Sequence, residues 1–209
     1  MNRHCKQVAL CIFLVTLISV RVGAQTNDYQ KECSEKAKQL LKKAWEAQPM
    51  NRRGNKADPT KAESLYKQAL KDSPKCAPAS NLLIGLLMRN RDYTRANEYN
   101  EIFLRHTPND PTALYHKADL ISILQKDYAQ ALEIRMRLLD VPEYNSNGKV
   151  FYAIAGTYSL MNKLDESLEY LKLALALNKG WGNKENAQVD SDFENVRKDS
   201  RFWTLVNQK

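Results

Sequence analysis

The sequence predicts an all-α fold in which antiparallel helix pairs stack into a solenoid. The first observation is a frame of a basic residue, Asp-Tyr, two spacers and Ala, which occurs at 91–96 and again at 126–131. The second is an apolar stripe at offsets 0, 3, 4, 7 and 8, typical of an amphipathic helix, which recurs four times. The third is proline, which cannot continue a helix and follows three of the stripes, at Pro74, Pro108 and Pro142.

The first 24 residues have the pattern of a secretory leader and stand apart from the fold. Arg3 and Lys6 precede an apolar run at 8–20, and the small residue Ala24 predicts cleavage before Gln25. The run has 13 residues, fewer than the ~18–20 that span a bilayer. An uncleaved anchor is the alternative. We expect an exported protein, periplasmic or secreted, with no transmembrane span after cleavage.

The basic surplus lies in the first quarter of the mature chain. The whole sequence carries 32 Lys+Arg and 24 Asp+Glu. Removal of the leader leaves 29 basic against 24 acidic groups, a net charge of +5. Residues 25–76 hold 12 basic and 7 acidic groups. This surplus either attracts phosphates or an anionic membrane face or is a solvated surface. We expect no nucleic-acid partner.

Two cysteines remain after the leader is removed, Cys33 and Cys76. In an oxidising compartment they are a candidate disulfide, and two buried free thiols are the alternative. The sequence contains no Cys-x-x-Cys, so it supports neither a thioredoxin-type redox site nor a zinc ribbon.

The first helix pair, at 25–76, is the least regular part of the predicted solenoid. Its first helix is predicted over residues 29–48, and the stretch PMNRRGNKAD lengthens the corner that follows. Its second helix starts at Asp58-Pro59, which reads as an N-cap followed by proline in the first turn.

Three more regular pairs are predicted at 77–111, 112–147 and 148–180. In each pair a short corner, NRD, QKD or MNK, joins an apolar first helix to a striped second helix. A small residue is expected where the two helices cross, because a larger side chain would force them apart. These small residues are Ala96, Ala131 and Ser167.

A helix pair with a tight corner about every 34–36 residues resembles the tetratricopeptide repeat, or TPR. The resemblance implies a right-handed α-solenoid with repeats that begin near Ala77, Thr112 and Gly148. Three residues depart from the family's preference for small or bulky apolar side chains: Asn100, Asp119 and Arg135.

The last segment, 181–209, breaks the period and resembles the element that closes many bacterial TPR arrays. That element has a D-x-D-aromatic pattern followed by R-x-D-x-R-F. A solenoid end needs such a cap because the last repeat would otherwise leave its apolar face wet. The matching residues are Asp190, Asp192, Phe193, Arg197, Asp199, Arg201 and Phe202.

The resemblance also implies a concave groove, lined by the first helix of each pair, that binds a protein or peptide. Gly85 and Gly156 occupy equivalent places in it, where a peptide backbone could approach closely or neighbouring helices could pack. The predicted groove residues are Asn81, Gly85, Met88, His116, Leu120, Ile123, Tyr152, Gly156 and Ser159.

Motifs for catalysis or phosphate binding are missing from the sequence, and its histidines and carboxylates show no catalytic or metal-binding spacing. We therefore predict no enzyme, no cofactor and no metal. The function predicted is an exported scaffold or adaptor that binds its partner through the concave face. The alternative is a structural subunit of a cell-envelope assembly, held through the convex face or the basic N-terminal segment.

Overall fold

The computed structural model describes residues 33–48, 58–146, 148–177 and 183–207, and these residues contain helices and no strand. The predicted leader, the start of the first helix, the lengthened corner at 49–57 and the stretch 178–182 lie outside the described residues. No helix among those described has the length and apolarity needed to cross a membrane.

The described helices, in chain order, are α1 Glu35–Glu46, α2 Pro59–Asp72, α3 Ala77–Arg89, α4 Tyr93–His106, α5 Pro111–Leu124, α6 Tyr128–Leu138, a one-turn α7 Pro142–Asn145, α8 Lys149–Leu160, α9 Leu164–Leu177, α10 Lys184–Val189, two 3-10 turns Ser191–Phe193 and Val196–Lys198, and α11 Ser200–Val206. They form four antiparallel pairs: α1 with α2, α3 with α4, α5 with α6, and α8 with α9. Each pair packs on the next through α2 and α3, α4 and α5, and α6 and α8. The predicted all-α stack of helix pairs is therefore confirmed.

Aspartates cap the first turn of α2, α4, α5 and α6. Each carboxylate accepts a hydrogen bond from the backbone N–H three residues on, which satisfies one of the free donors of the first turn. The O···N distances are 2.8 Å at Asp58, 3.3 Å at Asp92, 2.8 Å at Asp110 and 3.0 Å at Asp127.

The corner inside each regular pair contains one residue in the left-handed backbone region. Arg91, Lys126 and Asn162 have φ of 58°, 55° and 57°. The second helix begins two residues later, and in two pairs the residue between is a capping aspartate. The repeated sequence frame is thus the chemistry of a tight turn followed by a helix cap.

The helices cross at small or hydrogen-bonded residues. Ala96, Ala131 and Ser167 are fully buried, and the Ser167 hydroxyl donates to the Ala155 carbonyl at 2.9 Å. Asn100, one of the departures from the family preference, is also fully buried. Its amide donates to the backbone carbonyl of Ala113 at 3.1 Å, so it links α4 to α5 where an apolar residue would only pack.

Cys33 and Cys76 are joined by a disulfide, with their Cα atoms 4.7 Å apart. The bond ties the chain just before α1 to the residue that precedes α3. Beside it, the Ser34 backbone N–H donates to the Ser73 hydroxyl at 3.0 Å. The irregular first pair is therefore fastened to the regular repeats by a covalent link.

Candidate functional site

The C-terminal segment covers α8, the first helix of the last regular pair. The Tyr152 hydroxyl on α8 donates to the Asp190 carboxylate at 3.1 Å. The ring of Phe193, which is fully buried, lies 4.9 Å from the Tyr152 ring in an edge-to-face arrangement. An aromatic contact and a hydrogen bond therefore hold residues 190–193 on this helix.

The same segment also covers the next two predicted groove positions. A Cβ atom placed on Gly156 would lie 3.1 Å from Cβ of Asp192, so the glycine permits this close approach. At Ser159, the Asn195 amide donates to the backbone carbonyl at 2.9 Å and the Val196 N–H donates to the hydroxyl at 3.3 Å. We name residues 190–196 the covering segment.

Four predicted groove residues do not line an open surface. Tyr152, Gly156 and Ser159 are buried beneath the covering segment, because the chain returns across α8 after α9. Leu120 is fully buried in an apolar cluster that includes Ile84 on α3. For these four residues the predicted groove is wrong in this structure.

The other five predicted residues lie on a face of α3 and α5 that the covering segment does not reach, which we name the open face. Four of them are half-buried, and Ile123 keeps 42% of its surface exposed. The open face consists of Asn81, Gly85, Met88, His116 and Ile123.

Two polar atoms of the open face are buried without a hydrogen-bond partner among the described residues. They are Oδ1 of Asn81 and Nδ1 of His116. Asn81, His116 and Tyr152 hold equivalent places in successive repeats, and the Tyr152 hydroxyl has a partner in the covering segment. A buried polar atom left unpaired costs about 1–3 kcal/mol, so each side chain would gain from turning outward to meet a ligand.

Burial controls protonation at the open face. It lowers the pKa of His116, with the carboxylate of Asp119 opposing this effect and the ammonium of Lys149 adding to it. The imidazole is therefore neutral near pH 7, with one nitrogen that can accept a hydrogen bond. Burial likewise lowers the pKa of Lys149, whose ammonium lies 4.1 Å from the centre of the Tyr115 ring.

One cation beside the open face was missed by the sequence analysis. Nη1 of Arg89 lies 3.6 Å from the position that a Cβ atom on Gly85 would occupy. Its Nη2 donates to Oε1 of Gln48 at 3.1 Å, and no carboxylate among the described residues forms an ion pair with it. The available signal was a basic residue directly after Met88, in the last turn of a helix predicted to line the groove.

Comparison with solved structures places this arrangement among known folds. MamA from Desulfovibrio magneticus RS-1 superposes with a TM-score of 0.60 at 18% identity, over 83% of this chain and 94% of that one. A TPR protein of Thermus thermophilus, TTC0263, gives 0.61 at 17% identity, over 81% and 86%. This chain has a TPR-type helical-repeat fold. A TPR protein from Parabacteroides merdae gives 0.57 at 17% identity, over 83% and 66%.

The sequence match covers less of this chain than the structural matches do. A stretch of 124 residues, 55% of this chain, is 30% identical to tetratricopeptide repeat protein 16 of Mus musculus. The chain spans only 16% of the length of that TPR protein. No protein-family model matches the sequence.

The comparisons establish the TPR-type fold of this chain. Among the described residues, no three or more His, Cys, Asp or Glu side chains are grouped so that they could hold a metal ion. What the site offers is therefore a shaped surface with hydrogen-bonding groups and one cation at its edge.

Proposed function

We propose that this TPR protein is an exported scaffold that binds a protein or peptide partner on its open face. One observation carries the proposal: Asn81 and His116 each bury a polar atom without a partner, whereas the equivalent Tyr152 is satisfied by a peptide segment. An apolar groove without such atoms would offer packing only.

The covering segment illustrates the binding mode that we propose for the partner. On α8 it combines side-chain hydrogen bonds, one buried aromatic ring and close contact at a glycine. A partner segment on α3 and α5 would donate to Asn81 and His116, and it would pack on Met88 and Ile123. A few such anchors, at about 1–2 kcal/mol each, give the binding free energy of a typical peptide ligand.

Export is part of the proposal and rests on the leader pattern of residues 1–24. A disulfide between Cys33 and Cys76 agrees with an oxidising compartment. Cell fractionation followed by mass analysis of the recovered chain tests this part. We expect the protein outside the cytoplasm with Gln25 as its first residue, and an intact cytoplasmic chain would contradict export.

The binding function is tested by selecting peptides from a random dodecapeptide phage library on the mature chain, residues 25–209. Ile123→Asp places a charge on the open face and should abolish binding of the selected peptides. Ile102→Asp is a matched control, because Ile102 lies on α4 and is also 42% exposed. The proposal fails if no peptide is enriched, or if both variants retain the selected peptides equally.

A specific observation favours the second candidate function, attachment to an envelope surface. Trp45 on α1 is 56% exposed, and the exposed Lys38 and Lys42 lie on the same side of that helix. An exposed tryptophan beside lysines suits an anionic interface. Retention on vesicles of anionic lipid that is lost in high salt and in Trp45→Ala would favour this candidate over peptide binding.

A further inference from the structure

We propose that the open face selects an acidic partner: a peptide that places a side-chain carboxylate over Gly85, next to the guanidinium of Arg89. This inference rests on the proposed function, since it names the chemistry of the partner that the open face takes.

The covering segment shows how an aspartate fits over a glycine in this fold. Asp192 lies against Gly156, with its Cβ 3.1 Å and its Oδ2 3.4 Å from the place of the missing Cβ. Gly85 holds the equivalent place two repeats earlier, in the middle of α3. Apart from its chain neighbours and the backbone of α3, the only described atom within 4 Å of its missing Cβ is Nη1 of Arg89, at 3.6 Å. No other described residue therefore fills at Gly85 the space that Asp192 fills at Gly156.

The two glycine sites differ in charge. At Gly156, burial and the carboxylates of Asp190 and Asp119 raise the pKa of Asp192 to about 6, against the opposing effect of Arg135. An anion is thus disfavoured there and is held by the contacts on either side of it. At Gly85 the neighbour is a cation, so an incoming carboxylate gains a charge-assisted hydrogen bond.

Arg89 is positioned before any ligand arrives. Its hydrogen bond to Gln48 fixes one edge of the guanidinium, and Gln48 in turn donates to the buried Tyr66 hydroxyl. The other edge, Nη1, faces Gly85. A guanidinium held in this way loses little side-chain entropy when it binds a carboxylate.

The covering segment also predicts the direction of the bound peptide. Along α8, Asp190 meets Tyr152, Asp192 meets Gly156, and Asn195 with Val196 meets Ser159. The same path on α3 runs from Asn81 over Gly85 to Met88. A fitting ligand therefore has its acidic residue over the glycine and an apolar residue three or four positions later, against Met88.

The test uses a fluorescein-labelled synthetic peptide, VDSDFENV, which copies residues 189–196, and its uncharged form VNSNFENV. We expect fluorescence anisotropy to show that the mature chain binds the acidic peptide about tenfold more tightly than the uncharged one. Arg89→Ala should remove this difference. Arg105→Ala is the matched control, because Arg105 is an exposed arginine in the last turn of the neighbouring α4.

A second variant guards against damage to the fold by Arg89→Ala. Gly85→Ala introduces only an ordinary contact in the unbound chain, with Arg89 at 3.6 Å, but it fills the place of the incoming carboxylate. It should also weaken binding of the acidic peptide about tenfold, because the carboxylate can no longer approach α3 closely at this position.

The outcomes separate this inference from the proposed function. Equal binding of the acidic and uncharged peptides overturns the inference, as does binding that is unchanged in Arg89→Ala. Binding that is lost in Gly156→Ala but not in Arg89→Ala also overturns it, because the probe has then replaced the covering segment. If the phage library yields peptides that need Ile123 but carry no acidic residue, the inference fails and the proposed function stands. If the library yields none, both fail.

Discussion

The guanidinium of Arg135 on α6 lies 2.7 Å from the carboxylate of Asp119 on α5, inside the second regular helix pair. Only 5% of Arg135 is exposed, and it also donates to the hydroxyls of Ser122 and Thr157. Asp119 stands where the TPR pattern prefers a small residue, and Arg135 stands where it prefers a bulky apolar one. The structure shows that each departure compensates for the other.

Removal of one partner should therefore be costly. Asp119→Ala leaves the buried guanidinium without its counter-charge, and we expect it to lower the free energy of unfolding by about 2–3 kcal/mol. Asp119 keeps 24% of its side-chain surface, which places the effect toward the low end for a broken buried pair. Urea unfolding followed by circular dichroism measures it.

Removal of both partners is the discriminating control. The double variant Asp119→Ala with Arg135→Leu restores the apolar contact that the repeat pattern prefers, and it should lie within about 1 kcal/mol of the wild type. If the free energy of unfolding of the double variant falls by as much as those of the two single variants together, the residues act independently. The compensation would then be refuted.

The disulfide between Cys33 and Cys76 should contribute measurable stability, because it closes a loop across the first helix pair. Its cysteines are 43 residues apart, and the chain-entropy model gives about 4 kcal/mol for a loop of that size. Reduction of the mature chain, or Cys33→Ser with Cys76→Ser, should lower the free energy of unfolding by about 2–4 kcal/mol.

The redox state is checked directly by mass spectrometry after alkylation. The unreduced mature chain should gain no alkyl groups, and the reduced chain should gain two under denaturing conditions. Reductant should have no effect on the stability of the double serine variant. Alkylation of the unreduced chain at either cysteine would show that Cys33 and Cys76 are free thiols.

The repeat architecture was predictable because its signals are local and periodic. The capping aspartates, the corners and the crossing alanines each act over a few residues and recur with the repeat, so the sequence alone indicates them. The Arg135–Asp119 pair was visible only as two departures. Their compensation depends on the packing of α5 against α6, which the pattern does not encode.

The open face was only partly predictable, for a related reason. Tyr152, Gly156 and Ser159 lie on one face of α8, as their spacing predicts, but the chain returns 36 to 38 residues later to cover them. That segment was interpreted as an end cap, and Phe193, Val196 and Phe202 are indeed fully buried. Its second role, in filling the groove over α8, is a long-range contact that breaks the period.

The covering segment should respond to pH through Asp192. The raised pKa, about 6 against an ordinary 3.8, means that the folded chain binds more protons than the unfolded chain between these two values. The free energy of unfolding should therefore fall as pH rises from about 4 to about 6. Above pH 6 Asp192 is ionised in the folded chain, and the free energy of unfolding stays at the lowered value. Asp192→Asn removes this dependence.

The size of that effect is limited by solvent. Asp192 is exposed to solvent, which screens its charge. Asp192→Asn should therefore raise the free energy of unfolding at pH 7 by less than about 1 kcal/mol. Asp140→Asn, which removes an exposed carboxylate after α6, is the charge-matched control. If Asp192→Asn instead lowers the free energy of unfolding at pH 7, the charge on Asp192 stabilises the fold.

Gly85→Ala and Gly156→Ala form a matched pair that tests the seating of the covering segment. Both glycines lie inside helices, where alanine is favoured by about 0.5–1 kcal/mol. At Gly85 the new methyl group meets only Arg89, at 3.6 Å, so the unbound chain should gain this stability. At Gly156 it would lie 3.1 Å from Cβ of Asp192, so the covering segment must move.

Hydrogen exchange distinguishes the two variants residue by residue. In Gly156→Ala the Val196 N–H, which donates to the Ser159 hydroxyl, should exchange faster, while amides in α3 and α4 keep their protection. Gly85→Ala should leave the exchange of Val196 unchanged. Because the two substitutions are chemically identical, a faster Val196 in both would point to a general loss of stability. An unchanged Val196 in both would show that Asp192 does not rest on Gly156.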